Sequence, residues 1–160
     1  MPKSFKYITD AKAKILILGS MPGEASLKAK EYYAYKHNKF WEIIFDAFEE
    51  GRAPLDYKDK LKTLKKNNIA LWDTLQKCKR KGSLDGNIAG ETPNNVPLLL
   101  KKYPHIKKLL FNGQAAFKYF VKHFGKPQKD YIVLPSTSPA NAGVNFKEKL
   151  AKWKAALTDI

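Results

Sequence analysis

Lys14-Ile15-Leu16-Ile17-Leu18-Gly19-Ser20-Met21-Pro22-Gly23 is the stretch that decides the fold. Residues 15–18 are all large aliphatics with no polar alternation, so a strand made of them has both faces covered. Gly19 and Pro22 end the run abruptly. Outward from it, three more short apolar runs end the same way. Ile69-Ala70-Leu71-Trp72 stops at Asp73, Ile106 to Phe111 stops at Asn112-Gly113, and Tyr131-Ile132-Val133-Leu134 runs into Pro135-Ser136-Thr137-Ser138-Pro139. Between these runs the apolar spacing is helical. Residues 38–48 carry apolar side chains at 40, 41, 44, 45 and 48, and helices are also expected over 58–66, 96–103, 114–124 and 146–157. Residues 82–95 are rich in turn formers and read as a surface loop.

Short apolar strands alternating with helices predict an α/β fold. The expected form is a three-layer α/β/α sandwich around a central four-stranded, mostly parallel sheet, with residues 1–160 as a single domain. In such sheets ligands bind beyond the carboxyl ends of the strands. That rule selects Gly19–Gly23, Asp73–Thr74, Asn112–Gly113 and Pro135–Asn141 as one shared site.

Composition narrows the chemistry. The 160 residues are 44% hydrophobic, enough for a core, and carry a net charge of +15. Residues 1–60 hold 11 basic and 9 acidic side chains, a net of +2, whereas residues 61–160 hold 19 and 6, a net of +13. Such a field attracts a polyanion, although a solvated lysine-rich surface is the plainer explanation. Only Arg52 and Arg80 are arginines, which favours backbone contact over base-edge reading. Lys79, Arg80 and Lys81 are candidate phosphate contacts. One cysteine, Cys78, excludes an intrachain disulfide framework, and three scattered histidines lack metal-ligand spacing. No cofactor and no metal are expected. A P-loop, a dinucleotide fingerprint and a nucleophile elbow are all missing. The sequence has neither a signal-peptide core nor a membrane-length apolar run, so a cytoplasmic protein with no membrane partner is expected.

Four segments carry a resemblance. Gly19-Ser20-Met21-Pro22-Gly23, followed by Tyr32-Tyr33-Ala34-Tyr35-Lys36-His37-Asn38-Lys39-Phe40-Trp41, resembles the first motif region of the uracil-DNA glycosylase superfamily. Asn112-Gly113-Gln114-Ala115-Ala116 resembles its third-strand base-reading region. Leu134-Pro135-Ser136-Thr137-Ser138-Pro139-Ala140-Asn141 resembles its DNA-inserting loop. That wording, with Gly82-Ser83-Leu84-Asp85, is most similar to the hypoxanthine (deoxyinosine) DNA glycosylase branch. Tyr35 and Lys36 stand where the family pattern has His and Pro.

The resemblance implies hydrolysis of the N-glycosidic bond of a flipped, damaged base, leaving an abasic site. It makes Asn38 the catalytic residue, orienting water rather than acting as a base. Gly19, Ser20, Met21, Tyr33 and Asn112 become base-binding, with Tyr33 stacking on the base and Asn112 bonding it through the amide. Pro22, Gly23, Lys79, Arg80, Lys81, Ser136, Thr137, Ser138, Pro139, Ala140 and Asn141 become DNA-binding. The implied partner is double-stranded DNA containing a deaminated base, with single-stranded DNA as a second substrate form, and the protein is expected to act as a monomer. A prokaryotic member would work at the nucleoid. Uracil or mismatch excision, and a catalytically silent damaged-DNA-binding module, are the alternatives. Each residue also has a plainer role: Asn38 as a helix cap, Asn112-Gly113 as a turn, Tyr33 as core, and the serines as caps of the last helix.

Overall fold

Strand β1 (Ile15–Gly19) is buried along its whole length at the centre of a parallel sheet. The computed structural model describes residues 1–52, 56–140 and 143–158. In chain order β1 is followed by α1 (Glu24–Ala29), α2 (Phe40–Phe48), α3 (Tyr57–Lys66), β2 (Ile69–Asp73) and β3 (Leu75–Lys79). Then come β4 (Ala89–Pro93), α4 (Val96–Lys102), β5 (Lys108–Asn112), α5 (Gln114–Phe124), β6 (Asp130–Leu134) and α6 (Phe146–Thr158).

The central sheet has the order β2-β1-β5-β6 with every pair parallel. Alternate side chains of β1 feed two cores. Ile15 and Ile17 face α2, α3 and α6, where Phe40, Ile43, Ile44, Leu64 and Trp153 close over them. Leu16 and Leu18 face α4 and α5, where Leu99, Ala116 and Phe120 do the same. Burial on both faces is what the unalternating aliphatic run demands. The three layers and the four-stranded sheet agree with the expectation from sequence.

One expectation needs correction. Residues 82–95 are not a plain loop. They hold a short 3-10 turn at Asp85–Asn87 and strand β4, which pairs antiparallel with β3 in a separate two-stranded ribbon. Gly90 and Pro93 lie inside β4, so turn-forming composition masks the strand. A short ribbon tolerates them because its pairing is already irregular.

A strap of residues 3–8 runs antiparallel along the open edge of β2 and on to β3, where Lys3 and Ser4 meet Lys77 and Gln76. Ile8 and Leu71 exchange both backbone hydrogen bonds at 2.8 Å. The Trp72 indole donates to the Phe5 carbonyl (2.9 Å) and the Tyr32 hydroxyl to the Lys6 carbonyl (2.8 Å). The Asn94 amide reaches Ser4 Oγ at 3.1 Å. Pairing an edge in this way removes a template for aggregation. No helix among the described residues is long and apolar enough to cross a membrane.

Candidate active site

The chain crosses from β2 over β1 to reach β5, so neighbouring strands β1 and β5 send their following segments apart. A crevice opens at such a switch point. Here it is a cavity of about 980 Å³, lined from all four strand ends by Gly19 to Ser26, Asp73, Asn112 to Gln114 and Val133 to Ala140. Tyr33, Tyr35 and Asn38 join from the segment before α2, Ser83 to Asp85 from the β3–β4 connection, and Lys152 from α6. The segments selected from sequence therefore meet. Thr74 does not face the cavity, being fully buried with its hydroxyl 3.4 Å from the Ala116 carbonyl.

Asn112 is the structural knot of the site. Its Oδ1 accepts the Thr137 N–H at 2.9 Å, which fixes the amide's orientation, because a backbone N–H can only donate. The two Nδ2 protons then go to Thr137 Oγ1 (3.0 Å) and Tyr33 Oη (3.1 Å). Thr137 is 1% exposed, and its carbonyl accepts the Lys39 N–H at 3.0 Å. Two expectations change here. Thr137 ties β5 to the loop after β6 and is too buried to grip a phosphate. Asn112 has no free N–H, so one Oδ1 lone pair is its remaining capacity.

Asn38 accepts the Phe40 N–H on Oδ1 at 2.9 Å, so it caps a first-turn donor of α2 from one residue ahead of the N-cap position, Lys39. The residue also lines the cavity, with its Nδ2 and a second Oδ1 lone pair outside that bond. Tyr33 stacks on Phe40 with centroids 4.0 Å apart and lines the cavity. Its backbone is left-handed (φ 55°), an uncommon conformation for a bulky residue. Burial, followed by the nearby Asp73 carboxyl, pushes its hydroxyl well above the ordinary tyrosine range.

Asp73, at the end of β2, is the residue that sequence reasoning undervalued. It is 4% exposed, and Oδ2 has no hydrogen-bond partner among the described residues. Burial and then the Asp85 carboxylate push its carboxyl up to about 7, against the opposite pull of Arg80. A neutral carboxyl here is a hydrogen-bond donor. Its position as the acid ending a strand was the available signal. Gly19 makes room for it: a Cβ there would strike Asp73 Oδ1 and come within 2.9 Å of Tyr33 Oη.

Ser20 Oγ donates to Asp85 Oδ1 at 2.7 Å, and Glu24 N–H donates to Ser83 Oγ at 2.9 Å. Met21 is buried with Leu75 and Cys78, while Pro22 and Gly23 line the cavity. Ser136 Oγ accepts Ser138 N–H (3.1 Å) and Ser138 Oγ accepts Ala140 N–H (3.3 Å), which leaves both hydroxyl protons free to donate. Pro139 and Ala140 are exposed at the rim, and Asn141 lies outside the described residues. Lys79 and Lys81 are exposed. Arg80 corrects its expectation as a phosphate contact. Its side chain is 1% exposed, donates to the Pro22 carbonyl and lies 3.8 Å from Asp85 Oδ1. Among the described residues no group of three or more His, Cys, Asp or Glu is placed to hold a metal ion.

A family model, the uracil DNA glycosylase superfamily, matches residues 5–160. The chain belongs to that superfamily. It is similar to a curated protein of Methanosarcina acetivorans named hypoxanthine DNA glycosylase, 36% identical over 155 residues and 96% of each chain. A protein of the same name from Methanosarcina barkeri is 33% identical over 156 residues, again 96% of each. A solution NMR structure from M. acetivorans, provisionally described as a uracil DNA glycosylase, superposes with a TM-score of 0.83 at 34% identity. That match covers 98% of this chain and 96% of the other. The superfamily resemblance and the α/β fold expected from sequence both stand.

Proposed function

We propose that this superfamily member is a monofunctional DNA glycosylase that hydrolyses the N-glycosidic bond of deoxyinosine, releasing hypoxanthine and leaving an abasic site. The observation that carries this is the convergence of all four strand-end segments on one cavity whose polar lining is chiefly amides and hydroxyls, with the buried carboxyl of Asp73, held up to about 7, at one strand end. The names of the two curated relatives support the choice of base.

The extruded base enters between the free face of Tyr33 and the β5 end. Stacking on an aromatic ring suits any base, so the polar groups choose. Hypoxanthine offers an N–H on its six-membered ring and acceptors at its carbonyl and imidazole edge. The spare lone pair of Asn112 Oδ1 takes the N–H, and protonated Asp73 donates to an acceptor. Asn38, held by Phe40 N–H, orients water beneath the sugar. An amide is too weak a base to activate water fully, which suits a transition state with the glycosidic bond already largely broken. The departing base leaves with negative charge that an acidic donor stabilises. Ser136, Ser138 and the backbone around Pro22–Gly23 hold the phosphates flanking the flipped nucleotide, and Lys79 and Lys81 hold those further along. The protein acts as a single-domain monomer on duplex DNA and on single strands, at the nucleoid of a prokaryotic cell.

The test is a panel of duplex and single-stranded oligonucleotides bearing deoxyinosine, deoxyuridine or deoxyxanthosine, treated with protein and then alkali. Strand breaks at deoxyinosine are expected. Breaks at deoxyuridine alone would reassign the base, and no breaks at all would leave only a DNA-binding module.

A further inference from the structure

When a nucleotide leaves the duplex, something must fill the space it vacates, and apolar side chains are the usual wedges. Among its described residues the loop after β6 has no large, exposed apolar side chain. At the cavity it offers the short side chains of Pro139, Ala140 and the partly buried Val144. Tyr35 is 48% exposed on the rim, but its ring already packs edge-on against His37, 5.3 Å away. Leu84 is different. It lines the cavity mouth and is 58% exposed. Among the described residues, the other markedly exposed large apolar side chains, Met1, Leu98 and Ile132, lie away from the cavity.

A single exposed leucine is ordinary on a protein surface. What sets Leu84 apart is how firmly its neighbours are held. Ser83 Oγ takes the Glu24 N–H, and Asp85 Oδ1 takes the Ser20 hydroxyl. Gly23 lies so close to Ser83 that a Cβ would sit 3.2 Å from its Oγ. The buried Arg80 guanidinium bonds the Pro22 carbonyl and faces Asp85. The Leu84 carbonyl itself accepts Asn87 N–H at 3.1 Å. The backbone on both sides of Leu84 is thus clamped to the 20–24 wall of the cavity, while the side chain between them stands free. Exposed Lys79, which ends β3, and Lys81, on the connection itself, precede it, placed to meet phosphates. A preorganised projection loses little entropy on insertion.

We propose that Leu84, carried on the clamped β3–β4 connection, enters the base stack of duplex DNA and holds the space left by the flipped nucleotide. This rests on the glycosylase reading, and two readouts separate them. Leu84→Ala should lower kcat/KM on a deoxyinosine duplex by about ten-fold or more, as loss of a buried leucine side chain would. On the single-stranded substrate, which has no stack to fill, the variant should stay within about two-fold of the parent. Leu84→Phe should retain duplex activity. In parallel, 2-aminopurine beside the lesion should brighten when the parent binds duplex, and Leu84→Ala should abolish the rise. Equal losses on both substrates, or no loss on duplex, would overturn the proposal while leaving the glycosylase intact. A Leu84-dependent brightening with no strand cleavage would uphold the wedge and remove the glycosylase.

Discussion

Replacing Asp73 with Asn should make this protein more stable, and increasingly so as the solution becomes more alkaline. In the unfolded chain the carboxyl titrates at its ordinary 3.8; in the folded protein burial and Asp85 raise it to about 7. Between those values the folded state holds a proton that the unfolded chain has released. Stability therefore falls as pH rises through this window and levels off above about 7. The gap is about 3 pH units at about 1.4 kcal/mol each, a cost on the order of 4 kcal/mol once Asp73 is ionised in both states. Asparagine has nearly the same shape and no charge, so Asp73→Asn removes the cost. Asn94 bonds the Asp73 backbone carbonyl, not its side chain, and is untouched by the change. Urea unfolding followed by tryptophan fluorescence suits the assay, since the chain carries three tryptophans. The stability gain of Asp73→Asn over the parent should widen by about 2–3 kcal/mol between pH 5 and pH 8. Parallel pH curves for the two proteins would refute a neutral, desolvated Asp73.

The same proton should appear in catalysis. Excision by the parent should decline as pH rises through about 7, where Asp73 ionises, and Asp73→Asn should flatten that limb of the pH–rate profile. Asn38→Ala should cut excision by about a hundred-fold or more while lowering stability only by about 1 kcal/mol, the loss of a cap; single-turnover kinetics and duplex binding separate the two effects. Asn112→Ala strands the buried Thr137 N–H and should cost about 1–3 kcal/mol in urea unfolding. Lys79→Ala and Lys81→Ala should each reduce the slope of log binding constant against log salt by about one, whereas Arg80→Ala should lower the melting temperature and leave that slope unchanged.

Much of the fold was legible because burial on both faces leaves an unmistakable run. β1 reads directly from Ile15–Leu18, and Asn112-Gly113 and Pro135 mark the ends of β5 and β6. The β3–β4 ribbon was not legible. In β3 the buried Leu75 and Cys78 stand three residues apart with Gln76 and Lys77 between them, so the period-2 signal of a strand is missing, and Gly90 and Pro93 in β4 carry the composition of a turn. Site positions were legible as strand ends, yet their internal bonding was not. Nothing local in Lys79-Arg80-Lys81 separates the middle residue from its neighbours. Arg80 turns inward because the Pro22 carbonyl, 58 residues away, is there to receive it. Asn112 likewise looks like a free amide until Thr137 arrives from the loop after the neighbouring strand β6.

The strap over the β2 edge bears on which changes this chain can absorb. Its long-range anchors, Trp72 and Tyr32, bond the carbonyls of Phe5 and Lys6 rather than their side chains. A carbonyl is the same whatever residue carries it, so substitutions at exposed positions such as Lys3 and Lys6 leave those bonds in place. Length is another matter. Ser4, Phe5, Lys6 and Ile8 meet four separate partners in fixed register. Adding or removing one residue among them would misalign the strap against the edge it covers and expose β2 to pairing with another chain. The strap is therefore open to spelling changes at its exposed positions and closed to insertions and deletions.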